Sequence, residues 1–117
     1  MVDQEFLDAL SSTVEVDLSV KGRRSGQNTS RPVWFVLEGG TIYLLPMYGS
    51  RTEWYQDLLA NPEITVSVKG KKSNLHAKPI QEDEKVAEVV DRFRSKHGAD
   101  EIRKYYARLD AAVSVPI

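Results

Sequence analysis

Cysteine is absent from the 117-residue sequence, and its absence excludes several kinds of chemistry. Without a thiol, the chain cannot form a disulfide, use a thiolate nucleophile, or bind zinc or an iron–sulfur cluster through cysteine. A chain without cysteine also suits a reducing compartment. We therefore expect a cytoplasmic protein.

An excess of one charge is also lacking. The chain has 16 Lys and Arg residues against 17 Asp and Glu residues, for a net charge of −1. Because nucleic-acid-binding domains usually carry a basic excess, we expect no nucleic-acid partner. No apolar run approaches the roughly 20 residues that span a bilayer, so we expect no transmembrane segment. The acidic segment 1–5 also lacks the pattern of a signal peptide.

Familiar catalytic motifs are missing as well. The sequence has no G-x-S-x-G elbow, P-loop or G-x-G-x-x-G fingerprint. It has only two histidines, His76 and His97, and their positions do not form a metal-ligand pattern, so we expect no metal site. His76 is predicted to lie on a strand surface. His97, beside Gly98, is predicted to be a favourable cation at the end of a helix.

Hydrophobic periodicity predicts most of the secondary structure. Residues 13–20 alternate strictly, with Val14, Val16, Leu18 and Val20 on one face, which is typical of a half-buried strand. Further strands are predicted at 29–37, 41–47, 63–68, 74–80 and 111–117, and helices at 3–10, 52–59, 82–96 and 100–109. Residues 33–37 are almost continuously apolar, which indicates a strand that is covered on both faces. Thr52 is predicted to cap the helix that follows it.

Six short strands and four helices describe one α+β domain over residues 1–117. Most of the strands are joined by short turns, such as Gly39-Gly40 between two apolar runs. This arrangement favours an antiparallel sheet that curls into a barrel.

The segment 20–26 is the most distinctive turn of the sequence. It reads Val-Lys-Gly-Arg-Arg-Ser-Gly and places three cations and two glycines between two predicted strands. Glycine lets the backbone approach a ligand closely, and the guanidinium of arginine matches phosphate or carboxylate. The functional interpretation is a cradle for an anionic tail. The alternative is a solvated hairpin turn, since glycine and charged residues are ordinary in turns.

Aromatic residues cluster in the second hairpin and in the helix after it. Trp34 and Tyr48 lie near irregular strand ends, where a pocket for a flat cofactor ring can open. The other aromatic residues of interest are expected to pack in the core or between helices: Tyr43, Trp54, Tyr55, Tyr105 and Tyr106.

The order of these motifs resembles the deazaflavin-dependent nitroreductase family. The matching pieces are the turn 20–26, the run Arg-Pro-Val-Trp-Phe at 31–35, Gly39-Gly40, Tyr48-Gly49, and Trp54-Tyr55 with Leu-Leu-Ala-Asn-Pro at 58–62. The resemblance extends over about residues 13–68, or roughly half of the chain. The resemblance implies a split antiparallel β-barrel with peripheral helices, related to proteins that bind flavin mononucleotide and to pyridoxamine-phosphate-oxidase-like proteins.

The resemblance also implies a cofactor and a reaction. The family uses the deazaflavin coenzyme F420 (8-hydroxy-5-deazaflavin), which carries a hydride, a phosphate and a glutamate-rich tail. The expected reaction is hydride transfer to a small-molecule acceptor: a quinone, a nitro compound or an activated double bond. Tyr48 is the candidate for hydrogen bonding or proton delivery near the acceptor.

The cofactor-binding residues are expected in three groups. The tail would be held by Lys21, Arg23, Arg24, Ser25 and Gly26, the ring pocket would be lined by Pro32, Val33 and Trp34, and the phosphate and ring would be covered by Leu45, Met47, Tyr48 and Gly49. Asn28 and Thr29 stand where the family often has a further cation, and the sequence leaves open whether Arg31 replaces it.

Two alternatives remain open from the sequence. One is a related oxidoreductase that binds flavin mononucleotide (FMN) across a homodimer. The other is a barrel of the same fold that carries a cofactor without catalysing a reaction.

Overall fold

The structure, a computed structural model, describes residues 3–117 and contains seven strands and four helices in that part of the chain. The strands are β1 (Glu15–Lys21), β2 (Asn28–Glu38), β3 (Thr41–Leu44), β4 (Glu63–Val68), β5 (Lys71–His76), β6 (Lys78–Ile80) and β7 (Ala112–Pro116). The helices are α1 (Gln4–Ser11), α2 (Glu53–Ala60), α3 (Asp83–His97) and α4 (Ala99–Tyr105), and a 3-10 turn covers Gly49–Arg51.

All seven strands form one antiparallel sheet with the order β5-β4-β1-β2-β3-β7-β6. β5 and β6 follow each other directly in the sequence but lie at opposite ends of this order, so the sheet curls into a split barrel. The predicted α+β class with an antiparallel barrel and peripheral helices is therefore confirmed.

β2 changes partners along its length, and this change positions the site. Residues 28–34 pair with β1, whereas residues 35–38 pair with β3 on the other edge. The chain leaves β3 after Leu44, which is the partner of Phe35. The edge of β2 that faces β3 therefore has no paired strand at residues 28–34, and a cleft opens there.

Two apolar clusters cover the two faces of the sheet. The first lies between the curled strands and helices α1 and α2, and its fully buried members include Leu18, Phe35 and Tyr55. The second lies between the sheet and helices α3 and α4, and it includes Val36 and Phe93. Because adjacent residues of a strand point to opposite faces, Phe35 and Val36 enter different clusters. The continuous apolar run of β2 thus correctly predicted a strand covered on both faces.

Helix α3 follows the predicted pattern closely. Asp83 and Glu84 lie in its first turn and basic residues lie in its last, which complements the helix dipole. Gly98 follows the helix with a φ of +96°, a conformation that side chains with a Cβ rarely adopt. No helix within residues 3–117 combines the length and apolar character needed to cross a membrane.

The predicted strand 74–80 is wrong, because it is two strands with different partners. β5 pairs with β4, whereas β6 pairs with β7 at the other end of the sheet. Ala77 lies between them, is 1% exposed, and donates its N–H to the carbonyl of Pro62 at 2.8 Å. This long-range contact turns the chain from one edge of the sheet to the other.

Three predicted boundaries also shift. Val14 is 57% exposed and lies before β1, so it does not join the buried face of that strand. Thr52 makes no capping hydrogen bond to α2; its hydroxyl accepts the N–H of Tyr48 at 2.9 Å instead. α4 ends at Tyr105, and Leu109 lies in the connection to β7.

Candidate functional site

A cleft of about 480 Å³ lies beside the unpaired edge of β2. Its volume falls in the range of small-molecule and cofactor pockets. β2, the loop after β3, the start of α2 and the end of α4 all contribute to its walls. The lining residues are Glu15, Arg31, Pro32, Val33, Trp34, Leu45, Met47, Tyr48, Thr52, Glu53, Trp54, Tyr105 and Tyr106.

The structure brings together six of the seven residues that were expected around the cofactor ring. Pro32, Val33 and Trp34 come from β2, and Leu45, Met47 and Tyr48 come from the loop after β3. Gly49, the seventh, does not line the cleft. It is buried at a φ of +57°, and a Cβ there would collide with the side chain of Asp110 and approach the carbonyl of Arg108 to 3.0 Å.

Three other rings hold the indole of Trp34 in place. The imidazole of His97 stacks on it with a centroid distance of 4.5 Å and an interplanar angle of 11°. Tyr105 meets it edge-on at 5.7 Å, and Tyr106 is tilted against it at 6.2 Å. A flat, fixed aromatic wall of this kind suits a flat cofactor ring.

His97 is not the helix-end cation that its position predicted. It lies in the last turn of α3 as expected, but burial lowers its pKa below 6.5, and the charge of Lys96 acts in the same direction. Its Nε2–H donates to the carbonyl of Phe35 at 3.1 Å. The ring is therefore neutral at pH 7 and serves as the stacking partner of Trp34.

The two tyrosines of the cleft wall differ in exposure. Tyr105 is 43% exposed, whereas Tyr106 is 6% exposed and burial raises its pKa to about 12. The phenol of Tyr106 therefore stays protonated at neutral pH. Tyr48, which also lines the cleft, is 62% exposed, so its phenol is accessible from solvent.

The basic turn forms a compact hairpin connection between β1 and β2. Gly22 donates its N–H to the carbonyl of Gln27, and Gly26 donates to the carbonyl of Gly22, each at 2.9 Å. Gly26 adopts a φ of +73°, which a side chain would strain. Lys21, Arg24, Ser25 and Gly26 are exposed and lie outside the lining of the cleft.

Arg23 is held by carboxylates of α2. Its N–H and its Nη1 both donate to Oδ1 of Asp57, at 3.1 and 2.7 Å, and Nη1 also contacts Glu53 Oε2 at 3.0 Å. Burial tends to raise the pKa of Asp57, but the hydrogen bonds and charge of Arg23 outweigh burial and lower it. The pairing also compensates the charge of Glu53, which lines the cleft and would otherwise repel an anion.

Arg31 is the cation that the cleft itself contains. Its guanidinium donates to the Thr29 hydroxyl at 2.6 Å and to the Thr29 carbonyl at 3.3 Å, and it joins none of the ion pairs found in residues 3–117. Burial lowers its pKa, with the charge of Asp57 acting in the opposite direction. A guanidinium bonded only to neutral oxygen atoms is available to an anion.

Sequence reasoning missed part of this lining. Trp54 and Tyr106 were assigned to packing, and both are largely buried while also facing the cleft. The role of Arg31 was left open. In the structure Arg31 lies opposite Leu18, a fully buried residue of β1, so it points to the inner side of the sheet. The available sequence signal was its period-two spacing from Val33 and Phe35 along the predicted strand.

The residues present fit the cofactor that the sequence implies. Apolar side chains and the indole of Trp34 match a flat ring, and Arg31 offers a cation for a phosphate at the same cleft. A curled antiparallel sheet with such a cleft beside a strand that changes partners places the protein in the class of split barrels with a site for a flat cofactor.

Comparison with known proteins identifies the family. Residues 8–117 match the family described as F420-H(2)-dependent quinone reductase, so the chain belongs to that family. It is therefore an oxidoreductase that uses coenzyme F420, and the predicted resemblance to deazaflavin-dependent reductases is confirmed. This cofactor replaces the alternative of FMN, and the enzyme family replaces the alternative of a non-catalytic carrier.

Solved structures show the same fold. An F420-H2 dependent reductase (FDR-A) is 21% identical, with 87% of this chain and 93% of that chain covered and a TM-score of 0.65. A protein described as F420 reductase is 16% identical, with coverage of 98% and 94% and a TM-score of 0.68. A chain described as a domain-swapped dimer is 21% identical, with coverage of 87% and 79% and a TM-score of 0.68.

Proposed function

We propose that this chain reduces a quinone with F420 as the hydride donor, and that both bind in the cleft beside Trp34. The observation that carries the proposal is the apolar, aromatic lining of that cleft, which contains a single unpaired cation. When bound, reduced F420 supplies a hydride, and a proton completes the two-electron reduction of the quinone to a hydroquinone. The protein's own residues bind, orient and shelter the reactants.

The cofactor ring is assigned to the β2 side of the cleft. Pro32, Val33 and Trp34 contribute apolar lining from β2, and Leu45 and Met47 contribute apolar lining from the loop after β3. The stack of His97 on Trp34 prevents the indole from turning into the cleft. Walls that are ordered before binding reduce the entropy cost of holding the ring in a reactive position.

The anionic part of the cofactor is assigned to two sets of cations. Arg31 is placed at the phosphate because it lines the cleft and has no carboxylate partner within hydrogen-bond distance. The tail is assigned to the exposed face of the basic turn, formed by Lys21, Arg24, Ser25 and Gly26. Arg23 anchors this turn to α2 through its hydrogen bonds to Asp57. Gly49 is assigned a structural role, because its positive φ allows the loop after β3 to turn.

Tyr48 is the candidate for hydrogen bonding or proton delivery at the acceptor. Its backbone N–H is fixed by the hydroxyl of Thr52, whereas the side chain that carries its phenol lines the cleft and is exposed. A phenol at this position can donate a hydrogen bond to a quinone oxygen, which gains negative charge during reduction.

The acceptor is assigned to the quinone class because the family is described by that reaction and because the cleft is mainly apolar. Nitro compounds and activated double bonds are the secondary acceptors. They share a planar, electron-poor group, but nitro compounds would place charge on two oxygen atoms.

A titration and a panel of acceptors test the proposal. The apoprotein is titrated with F420 and with FMN, and turnover of reduced F420 is then measured with quinones, nitroaromatics and enones. We expect saturable binding of F420, weaker binding of FMN, and the highest kcat/KM with a quinone. Tighter binding of FMN, or no oxidation of bound F420 by any quinone, would contradict the proposal.

Two further properties remain predictions. We propose that the chain forms a homodimer; a chain of similar fold is described as a domain-swapped dimer, which supports testing this by size exclusion with light scattering. The cytoplasmic location also remains a prediction from the absence of cysteine.

A further inference from the structure

The loop of residues 45–52, here called the cleft loop, is tied to the segment 107–110 by four contacts. Asp110 accepts the N–H of Ser50 on Oδ1 at 2.8 Å and the hydroxyl of Ser50 on Oδ2 at 2.7 Å. The N–H of Ala107 donates to the carbonyl of Met47 at 2.8 Å. Tyr48 and Arg108 also form an isolated parallel β-bridge.

These contacts join two segments of the chain that both contribute to the cleft. The cleft loop carries Met47 and Tyr48, which line the cleft. The segment 107–110 begins directly after Tyr105 and Tyr106, which also line it. The carboxylate of Asp110 therefore lies where these two segments meet, although it does not line the cleft itself.

The carboxylate at position 110 uses both of its oxygen atoms. Oδ1 receives one donor, and Oδ2 receives the Ser50 hydroxyl together with Nε of Arg108 at 2.8 Å. An asparagine could accept on one atom only, because its amide nitrogen is a donor and would face the other donors. Charge-assisted hydrogen bonds are also shorter and stronger than neutral ones.

The glycine before Ser50 allows this close approach. Gly49 packs directly on Asp110 and Arg108, and a Cβ at this position would collide with the Asp110 side chain. The Asp110 carboxylate can therefore reach Ser50 only because residue 49 has no side chain.

From this geometry we infer that Asp110 is a positioning residue that fixes Met47 and Tyr48 relative to Tyr105 and Tyr106. This placement determines which acceptors fit in the cleft, so Asp110 controls acceptor specificity without touching the acceptor. The specificity part of the inference depends on the proposed function, whereas the positioning part does not.

A purely stabilising role would have a different signature. The side chains of Arg108 and Asp110 are 47% and 37% exposed, and exposed ion pairs contribute little to global stability. Hydrogen bonds between partly exposed groups of this kind order a loop and contribute little to the core. The changes in the variant should therefore be concentrated at the cleft.

The test compares Asp110→Asn with the matched control Asp100→Asn. Asp100 is also a carboxylate that pairs with an arginine, Arg103 at 3.2 Å, but it is fully on the surface of α4. The first readout requires no cofactor. The chain has only two tryptophans, Trp34 and Trp54, and both line the cleft, so acrylamide quenching of their fluorescence reports access to it.

We expect Asp110→Asn to increase tryptophan quenching clearly while the control leaves it unchanged. With F420 saturating, kcat/KM for the quinone should fall by about 10- to 100-fold, because a small displacement of the groups that position a reactant can cost about 10²-fold in rate. The affinity for F420 should also fall, because Met47 of the displaced loop is assigned to the cofactor ring, but by a smaller factor than kcat/KM, because Arg31 and the β2 residues keep their positions. Acceptors of different width should lose different amounts of kcat/KM.

Equal quenching in Asp110→Asn and Asp100→Asn would overturn the positioning inference. An equal loss of kcat/KM for all acceptors would overturn its specificity part. If Asp110→Asn does not fold, Ser50→Ala decides the matter, because it removes one donor and keeps the backbone N–H. It should show smaller changes in the same direction, and no change would refute the inference. Loss of the proposed function would appear separately, as a wild-type protein without quinone reductase activity.

Discussion

Replacing Arg24 by alanine is expected to weaken F420 binding and leave thermal stability unchanged. Replacing Asp57 by alanine is expected to act mainly by lowering thermal stability. From the sequence, Arg23 and Arg24 are predicted to bind the cofactor together, but in the structure their contacts differ. Arg23 is held by Asp57 and Glu53, whereas Arg24 is exposed on the outer side of the turn. The two adjacent arginines should therefore serve different purposes.

The expected size of each effect follows from the contacts involved. Loss of one charge-assisted hydrogen bond from Arg24 to the tail corresponds to about 1.5–3 kcal/mol, or roughly 10- to 100-fold in Kd. Asp57→Ala removes the acceptor of two hydrogen bonds from Arg23 in a residue that is 8% exposed. We expect a loss of about 1–3 kcal/mol in the free energy of unfolding. At about 4 °C per kcal/mol, the fall in Tm is roughly 4–12 °C.

The assay measures F420 affinity and Tm for each variant at low and high salt. Lys78→Ala is the matched control because it removes one exposed cation from β6, at the far end of the sheet order from β1. Since salt screens exposed charges, the difference between wild type and Arg24→Ala should shrink as salt increases. The stability difference of Asp57→Ala should persist, because buried pairs are screened less.

Two results would refute this reasoning. One is an Asp57→Ala protein that melts at the wild-type temperature, which would show that the Arg23 contacts do not hold the turn. The other is an Arg24→Ala protein with wild-type affinity at low salt. That result would return the exposed face of the turn to its alternative interpretation as a solvated hairpin.

Three further predictions concern single side chains of the site. Tyr48→Phe should lower kcat for quinone reduction by about tenfold or more if its hydroxyl acts at the acceptor, and an unchanged kcat would remove that role. Burial lowers the pKa of His97 below 6.5 in the folded protein, so as the pH falls the imidazole is protonated earlier in the unfolded chain than in the folded one. Protonation therefore favours unfolding, and Tm should fall as the pH drops below 6.5. His97→Gln should lose this slope in pH-dependent melting. Gly49→Ala should lower the free energy of unfolding by about 1–3 kcal/mol, measured in urea, because of its positive φ and its contact with Asp110.

Local patterns predicted the parts of the fold that depend on near neighbours. The alternation of β1 and the helical period of α3 are properties of short segments, so both elements were predicted within a few residues of their bounds. The division between β5 and β6 was not predictable in this way. It depends on the Ala77 contact with Pro62 and on pairing with β7, more than thirty residues further along the chain.

The same distinction applies to the site. The residues expected around the ring come from one strand and the next loop, and the structure places six of them around the cleft. Tyr105 and Tyr106 lie at the end of α4, far from the other lining residues in the sequence. They reach the cleft only through the tertiary fold. The partner of Arg23 is 34 residues away, so composition could identify the cation but not its engagement with Asp57.

The interior position of β7 has a consequence for biosynthesis. Residues 112–116 fill the place between β3 and β6, and β7 is the one strand within residues 3–117 that pairs with β6. A ribosome releases the N-terminal strands first, so β3 and β6 must wait with open edges until β7 emerges. The last strand to appear is thus inserted between two strands rather than added to an edge. Nascent chains that stop before residue 112 should therefore be cleaved readily by protease near residues 78–80.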